Sequence, residues 1–318
     1  MHLLDLAPEL LVAIQERLEE LTDVDAFARS SRALYETVNR QLYRRSARED
    51  GYAMEWAAHE GCTDTAKRYL AETAGIHSNS QFYDMAIVSA ANHGHADMVE
   101  LLLAGTGANV NCHIKDGTTP LIAAVQNGHA AVIRVLIDRN ADPNLGSDPT
   151  NPGNKRPMWH AVCRERVASV KALVEKGAEW DYVERNHMTP LEMATSMGSM
   201  QIFKYLVGMA RIDKRIDDPR GIRLLHLAAA QGHKAAVKYL LGLGYSVDAP
   251  DETGLTPLRR AVINERSDVA KFLFDKGADV HTHGTDLRTH GLSMLGDSVG
   301  SANVTSSQPS ARARSQGQ

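Results

Sequence analysis

Apolar and polar positions recur along most of the chain with a period of roughly 33 residues. In the copy at residues 116–144, a Thr-Pro pair leads into an apolar segment, a glycine and a second apolar segment. The apolar members of the second segment include Val132, and Val135 and Leu136 follow it at three and four positions. Spacing of this kind places side chains on one side of a helix. Each copy therefore predicts two short helices joined by a turn.

Seven copies of this pattern follow one another. The clearer ones cover residues 116–144, 186–207, 220–248 and 252–280, and the weaker ones cover 50–76, 83–111 and 156–181. We expect one equivalent core position to be filled by Met54, Ile87, Leu121, Trp159, Leu191, Leu225 and Leu258. Because the steps between these residues stay between 32 and 38 positions, the copies predict a regular stack of similar units.

Threonine, proline and glycine mark the predicted helix ends. Thr119, Thr189 and Thr256 each precede a proline, so the threonine is expected to cap a helix and the proline to occupy its first position. Left-handed glycines are expected to end the first helices at Gly94, Gly128, Gly198 and Gly232 and the second helices at Gly107, Gly177 and Gly277. Asn140 replaces the glycine in one second helix, and Arg166 and Glu265 stand where two first helices should end. The recurring His95, His129 and His233 are expected to have structural roles.

This pattern resembles the ankyrin repeat over about residues 50–283, with its T-P-L-H-x-A signature and Gly-His pairs. The resemblance implies an all-α solenoid of about seven helix–turn–helix units, with no sheet beyond short finger hairpins. It also implies a concave face of finger loops and first helices that binds other proteins. The candidate finger residues are Asp116, Thr118, Asn154, Lys155, Arg156, Arg185, His187, Arg220 and Glu252. The longest connection, residues 145–155, is either such a finger or a tolerated surface insertion.

The first 45 residues or so do not follow the repeat. A helix is expected from Pro8, with Leu10, Leu11 and Ile14 on one apolar stripe, and two more short helices are expected before residue 46. Leu4 and Leu6 precede the first helix in an extended stretch with few local partners. Exposing several leucines is unfavourable, so we expect another surface to cover them.

The stretch "LLDLAPELLVAIQERL" and the later "SSRALYETVNRQLYRR" resemble the F-box, and the second is similar to F-box proteins of filamentous fungi in which ankyrin repeats also occur. The proline stands one place later than in the usual Leu-Pro form. The resemblance implies binding to the Skp-type adaptor of an SCF-type cullin–RING ubiquitin ligase, with the ankyrin face holding a substrate. The expected adaptor anchors are Leu4, Leu6, Pro8, Leu10, Leu11 and Ile14. The alternatives are an N-terminal helical cap on the solenoid and an ankyrin scaffold outside ubiquitin chemistry.

Composition argues against several kinds of binding partner and site. The formal net charge of −4 argues against binding nucleic acid through its phosphates. The three cysteines lie in different units without a C-x-x-C pair, which argues against a disulfide framework or a structural zinc site. No basic leader and no run of 18 apolar residues is present, so we expect no signal peptide, no membrane contact and a location in the cytoplasm or nucleus.

Motifs for catalysis are nearly absent. The only formal match to G-x-S-x-G is "GDSVG", residues 296–300, and it lies in a Ser- and Gly-rich stretch without apolar periodicity. We therefore predict no catalytic role for Ser298, no enzyme activity, and no cofactor or metal site. The expected organisation is an F-box-like domain at 1–46, an ankyrin domain at 47–284 and a disordered tail at 285–318.

Overall fold

A computed structural model describes residues 43–44, 46–48, 51–74, 80–147, 155–183, 187–212 and 218–280. These residues form two compact bodies, and the division between them lies between Pro190 and Leu191. The described residues hold helices and turns and contain no β-strand. From residue 52 to residue 275 these helices form seven consecutive pairs, so the all-α class and the seven repeats are confirmed. The predicted adaptor anchors and Ser298 lie outside the described residues.

Repeats 1 to 4 belong to the first body, and repeats 5 to 7 belong to the second from Leu191 onward. The helices of repeats 1 to 4 are α1 Tyr52–Glu60, α2 Thr63–Glu72, α3 Ser80–His93, α4 Ala96–Gly105, α5 Pro120–Asn127, α6 Ala130–Asp138, α7 Pro157–Cys163 and α8 Val167–Glu175. Those of repeats 5 to 7 are α9 Pro190–Met197, α10 Met200–Ala210, α11 Pro219–Gln231, α12 Lys234–Gly242, α13 Pro257–Ile263 and α14 Ser267–Asp275.

Threonine caps begin two of the first helices as the sequence predicts. The Thr119 hydroxyl accepts a hydrogen bond from the Ile122 amide at 3.1 Å, and the Thr256 hydroxyl accepts one from Arg259 at 3.4 Å. In both helices a proline follows in the first position, where no amide donor is required. These caps satisfy backbone donors that the first turn of a helix leaves unpaired.

The first helices end in a left-handed residue. Gly94, Gly128, Gly198 and Gly232 have φ between 73° and 86°, which confirms their predicted role. In repeats 4 and 7 this place is taken by Glu165 at φ 55° and Glu265 at φ 58°. The prediction for Arg166 is therefore wrong by one position, because the turn residue of repeat 4 is Glu165.

The core position of repeat 4 also differs by one residue from the prediction. Met158, not Trp159, follows the helix-initiating Pro157 and is 1% exposed, whereas Trp159 is only half-buried. The residue directly after the helix-initiating proline is also the buried one in repeats 3, 5 and 7, where it is Leu121, Leu191 and Leu258. The other predicted core residues, among them Met54, Ile87 and Leu258, are buried.

Two first helices are longer than the repeat pattern requires. Helix α3 has 14 residues and α11 has 13, whereas the five other first helices have seven to nine. The α11 helix begins at a cap formed by Asp218, whose side chain accepts from the Arg220 amide at 2.9 Å. Its first turn runs so close to Tyr245 that a Cβ on Gly221 would lie 1.9 Å from the tyrosine hydroxyl oxygen. Both repeats therefore start with additional helix in place of a Thr-Pro turn.

Neighbouring repeats within each body are joined by one recurrent side-chain hydrogen bond. The Nε2 atoms of His95, His129 and His233 lie 2.9, 3.0 and 2.6 Å from backbone carbonyl oxygens of the preceding repeat. Arg166 and Arg266 occupy the same place in repeats 4 and 7, and each donates from Nε to a carbonyl at 3.1 and 3.0 Å. The structural role predicted for the three histidines is confirmed, and the two arginines substitute for them.

Residues just before repeat 1 pack on it. The rings of Tyr43 and Tyr69 meet edge to face with centroids 5.8 Å apart. The Ser46 hydroxyl accepts a hydrogen bond from the Ala53 amide at 2.9 Å, and its carbonyl accepts one from Gly51 at 2.7 Å. Tyr43, Ser46 and Ala47 are each at most 5% exposed. The chain immediately before residue 47 is thus part of the packing of the first repeat.

Candidate protein-binding surface

The finger before repeat 3 is a tight turn held by its own polar groups. The Ile114 amide donates to the Thr118 carbonyl at 3.1 Å, and the Gly117 amide donates back to the Ile114 carbonyl at 2.8 Å. The carboxylate of Asp116 accepts from the Thr118 amide at 2.8 Å. Of the predicted finger residues, Asp116 and Thr118 are therefore brought together, and Asp116 uses one oxygen to hold the turn.

The finger before repeat 7 has the same form, with Asp251 as its organising residue. The Asp251 carboxylate accepts from Thr253, from the Leu255 amide and from the Arg260 guanidinium, whose Nε and Nη2 lie 2.8 and 2.6 Å away. Partial burial acts to raise the pKa of Asp251, but these hydrogen bonds hold the pKa well below its usual range. Glu252, a predicted finger residue, is exposed on this turn.

His226 lies beneath that finger. Its Nε2 donates to the Ala249 carbonyl at 2.8 Å, and its Nδ1 is 3.6 Å from the Asp251 carboxylate. Burial lowers the pKa of His226, against the opposite effects of the Ala249 hydrogen bond and Asp251. A neutral histidine therefore fastens the finger to the first helix of the preceding repeat.

Repeat 4 presents the most cationic finger among the described residues of the first body. The ammonium of Lys155 lies 4.9 Å from the centre of the Trp159 ring, and the guanidinium of Arg156 lies 4.5 Å from the Tyr182 ring. Arg156 also forms an ion pair with Glu179. The amide of Ser147 donates to the Lys155 carbonyl at 3.3 Å, which joins the two ends of the longest connection. Residues 148–154, including Asn154, lie outside the described residues.

The first helix of repeat 4 adds two rings beside this finger. Trp159 and His160 are half-buried, and their rings meet edge to face with centroids 5.4 Å apart. Gln126 of repeat 3 places its Nε2 3.3 Å from Nδ1 of His160. Burial, with further effects of Arg164 and Lys155, lowers the pKa of His160 to about 4. These two residues are not among the predicted site residues, although the equivalent positions of repeat 3 are the purely aliphatic Ile122 and Ala123 and the contrast marks repeat 4.

The remaining predicted finger residues are placed separately. His187 is exposed with φ 60°, and Arg185 lies outside the described residues. Arg220 is in the first turn of α11, where its Nη2 pairs with the Asp218 carboxylate at 3.0 Å. Arg220 and Glu252 belong to the second body, whereas Asp116, Thr118, Lys155 and Arg156 belong to the first.

Three further properties of the described part of the chain bear on a metal site, a membrane-spanning helix and a reactive thiol. Its His, Cys, Asp and Glu residues form no group of three that could hold a metal ion. None of its helices has the length and apolar character needed to cross a membrane. Burial, with added effects of Asp84, raises the pKa of the buried Cys112 thiol to about 12. Because the thiolate is the nucleophilic form, Cys112 is chemically inert near neutral pH.

Family models of ankyrin repeats match most of the described chain. One model, of three copies, matches residues 54–147 and 210–283, and a second, of many copies, matches residues 158–207. Together these ranges include parts of all seven helix pairs. Ankyrin repeats are protein-binding modules, which agrees with a surface made of fingers and first helices.

Individual relatives share the repeats over part of their length. The chain is 33% identical over 175 residues to the B-cell lymphoma 3 protein homolog of Mus musculus, which covers 52% of this chain and 38% of that protein. It is 28% identical over 183 residues to palmitoyltransferase AKR1 of Lachancea kluyveri, covering 55% of this chain and 24% of the relative. The chain thus spans well under half the length of these relatives. The crystal structure of the human ASB11 ankyrin repeat domain is 26% identical, with a TM-score of 0.47 over 63% of this chain and 86% of that one.

Proposed function

The chain belongs to the ankyrin-repeat family, and on that basis we propose that it is a substrate-recognition subunit of an SCF-type ubiquitin ligase. The F-box-like segment, residues 1–46, binds the Skp-type adaptor, and the fingers and first helices bind the substrate protein. The observation that carries this proposal is the F-box-like sequence at residues 3–46 directly before the first ankyrin repeat.

The proposed activity needs no catalytic residue in this chain. A receptor of this kind raises the local concentration of substrate lysines near the ubiquitin-charged partner, and holding the substrate is sufficient for that. The surface described above is suited to holding a protein, because its fingers are fixed by internal hydrogen bonds. A preformed surface loses less conformational entropy on binding than a mobile loop does.

The contacts of Tyr43 and Ser46 with repeat 1 support this arrangement. They attach the end of the F-box-like segment to repeat 1. Attachment of an adaptor-binding segment to a repeat that helps to hold the substrate favours repeated transfer to the same lysines.

The same contacts also favour a second candidate function. Solenoid ends need covering, and the burial of Tyr43, Ser46 and Ala47 against repeat 1 is typical of a cap. In this second proposal the N-terminal helices only protect the stack, and the chain is a scaffold outside ubiquitin chemistry.

A double variant, Leu6→Ala with Pro8→Ala, separates the two proposals. If residues 3–18 bind the adaptor, the purified wild-type chain captures a Skp-type adaptor and the variant binds it more weakly by a few kcal/mol, because it loses an apolar anchor and a rigid turn. The melting temperature of the repeats stays the same, since contacts in a solenoid are between neighbours.

The cap proposal makes the opposite prediction for this variant. The melting temperature falls, and even the wild-type chain captures no adaptor. That combined result would exclude the ligase role and leave a scaffold with a helical cap.

A further inference from the structure

The first helix of repeat 4 carries two ring nitrogens that have no hydrogen-bond partner among the described residues. They are Nε1 of Trp159 and Nε2 of His160, and both atoms are covered from solvent. Nearly all buried polar atoms in folded proteins are hydrogen-bonded. Two exceptions in consecutive residues of one helix therefore point to a partner outside the described residues.

The hydrogen bond at Nδ1 of His160 determines whether the unpaired Nε2 is a donor or an acceptor. The Nε2 of Gln126 lies 3.3 Å from Nδ1 of His160, and because an amide nitrogen donates, Nδ1 accepts. The ring is neutral near pH 7, since its pKa is lowered to about 4 by burial and by the nearby cations. A neutral imidazole that accepts at Nδ1 carries its proton on Nε2. The indole nitrogen is always a donor, so both unpaired atoms are N–H donors.

Positive charge surrounds these donors. The Lys155 ammonium lies 4.9 Å from the centre of the indole, and Lys155 and Arg164 both act on the His160 ring. The Arg164 side chain is exposed and forms no ion pair with any described residue. No acidic group is among those that shift the His160 pKa. Two donors beside two cations match a ligand that is anionic and only accepts hydrogen bonds.

We propose that Lys155, Trp159, His160 and Arg164, the repeat 4 cluster, bind a carboxylate side chain from an acidic segment of the protein partner. This inference rests on the proposal that the fingers and first helices hold a protein, and it adds the chemical class of the contact. A carboxylate has two acceptor oxygens and can satisfy both N–H groups while it neutralises a cation. Tryptophan and arginine are also the residues in which binding energy most often concentrates.

Entry of the carboxylate requires a side-chain movement, because the two nitrogen atoms are covered. The residues themselves are half-buried, so part of each is exposed to solvent. The Lys155 side chain, which lies over the indole, is long and flexible and can turn aside to pair with the incoming charge.

The test uses the full chain, labelled with ¹⁵N, and a soluble dodecapeptide in which glutamate alternates with glycine and serine. A matched peptide carries glutamine in place of each glutamate. The chain has three tryptophans, and the Trp159 indole signal is identified by its absence in Trp159→Phe. We expect the glutamate peptide to move that N–H signal downfield and the glutamine peptide to leave it in place.

Affinities of variants for the same peptide, measured by fluorescence anisotropy, locate the site. Trp159→Phe, which keeps a ring but removes the donor, and Arg164→Gln are each expected to weaken binding by about five-fold or more. Arg134→Gln on α6 is the matched control: it removes the same charge from the same body, where Arg134 pairs with Glu175 at 3.1 Å. The control should bind like the wild-type chain. Because Arg164 is exposed, Arg164→Gln is expected to fold, and it still tests the site if Trp159→Phe does not fold.

Three results would overturn the proposal. The first is an unmoved Trp159 signal at saturating glutamate peptide, and the second is an equal loss of affinity in Arg134→Gln, which would indicate a diffuse charge effect. The third is a single-stranded oligonucleotide that moves the signal when the peptide does not. No ligase adaptor is present in these measurements. A failed adaptor capture with an intact indole shift therefore counts against the proposed ligase function alone.

Discussion

At the scale of single residues, the turn glycines and the histidines of the next repeat form one contact. Gly94 has φ 85°, and a Cβ there would lie 2.6 Å from Nδ1 of His129, whose Nε2 donates to the Asn92 carbonyl. We predict that Gly94→Ala lowers the free energy of unfolding by about 2–4 kcal/mol, through left-handed strain and displacement of the histidine. Gly177→Ala is the control, because Gly177 has φ 81° but no atom near its added Cβ. It should cost only about 1–2 kcal/mol in urea unfolding. Equal losses would mean that the histidine contact contributes nothing.

The residues that define this contact could mostly be predicted from the sequence. The left-handed glycines and the structural histidines follow from their recurrence with the repeat. The errors at Trp159 and Arg166 have one cause: repeat 4 lacks both its threonine and its Gly-His pair, so Pro157 alone remains of the pattern to fix the register. Met158, directly after that proline, takes the core position and is 1% exposed.

At the scale of the element, the half-buried His160 of α7 links stability to pH. His160 has a pKa of about 4 in the folded chain, against about 6.5 for an unperturbed histidine. The unfolded chain therefore takes up a proton between these values while the folded chain does not, and stability is lost as the pH falls from about 6.5 to 4. The loss amounts to at most about 3 kcal/mol. We predict that His160→Gln reduces the fall in melting temperature between pH 7 and pH 5. Parallel curves for the two proteins would contradict this.

The repeat pattern predicts the helix pairs but not the full length of every helix. The sequence predicts seven helix pairs, because each pair repeats a periodic apolar face. It does not predict the additional turns at the start of α3 and α11, since these depend on tertiary contacts such as that between Gly221 and Tyr245. The candidate surface was predicted less well for the same reason. Asp116 and Asp251 hold their own fingers, and the unpaired donors of Trp159 and His160 become visible only when partners are counted in three dimensions.

At the scale of the whole molecule, the relation between the F-box-like segment and the repeats decides which function is possible. Tyr43 belongs to that segment by sequence and to the core of repeat 1 by packing, where it is 5% exposed. The proposed adaptor anchors lie between Leu4 and Ile14, far from it along the chain. A change at Tyr43 can therefore disturb the connection without altering the proposed adaptor contacts.

We predict that Tyr43→Ala lowers the free energy of unfolding of the first body by about 2–4 kcal/mol, because it removes a buried ring from its contact with Tyr69. Hydrogen exchange should rise in α1 and α2 and stay unchanged in repeats 5 to 7, since solenoid contacts are between neighbours. If the ligase proposal holds, the variant still captures the Skp-type adaptor with wild-type affinity, and substrate ubiquitination slows because the connection is no longer fixed. Loss of adaptor binding in Tyr43→Ala, with the helical content retained, would show instead that the adaptor contacts the same residues that cover repeat 1.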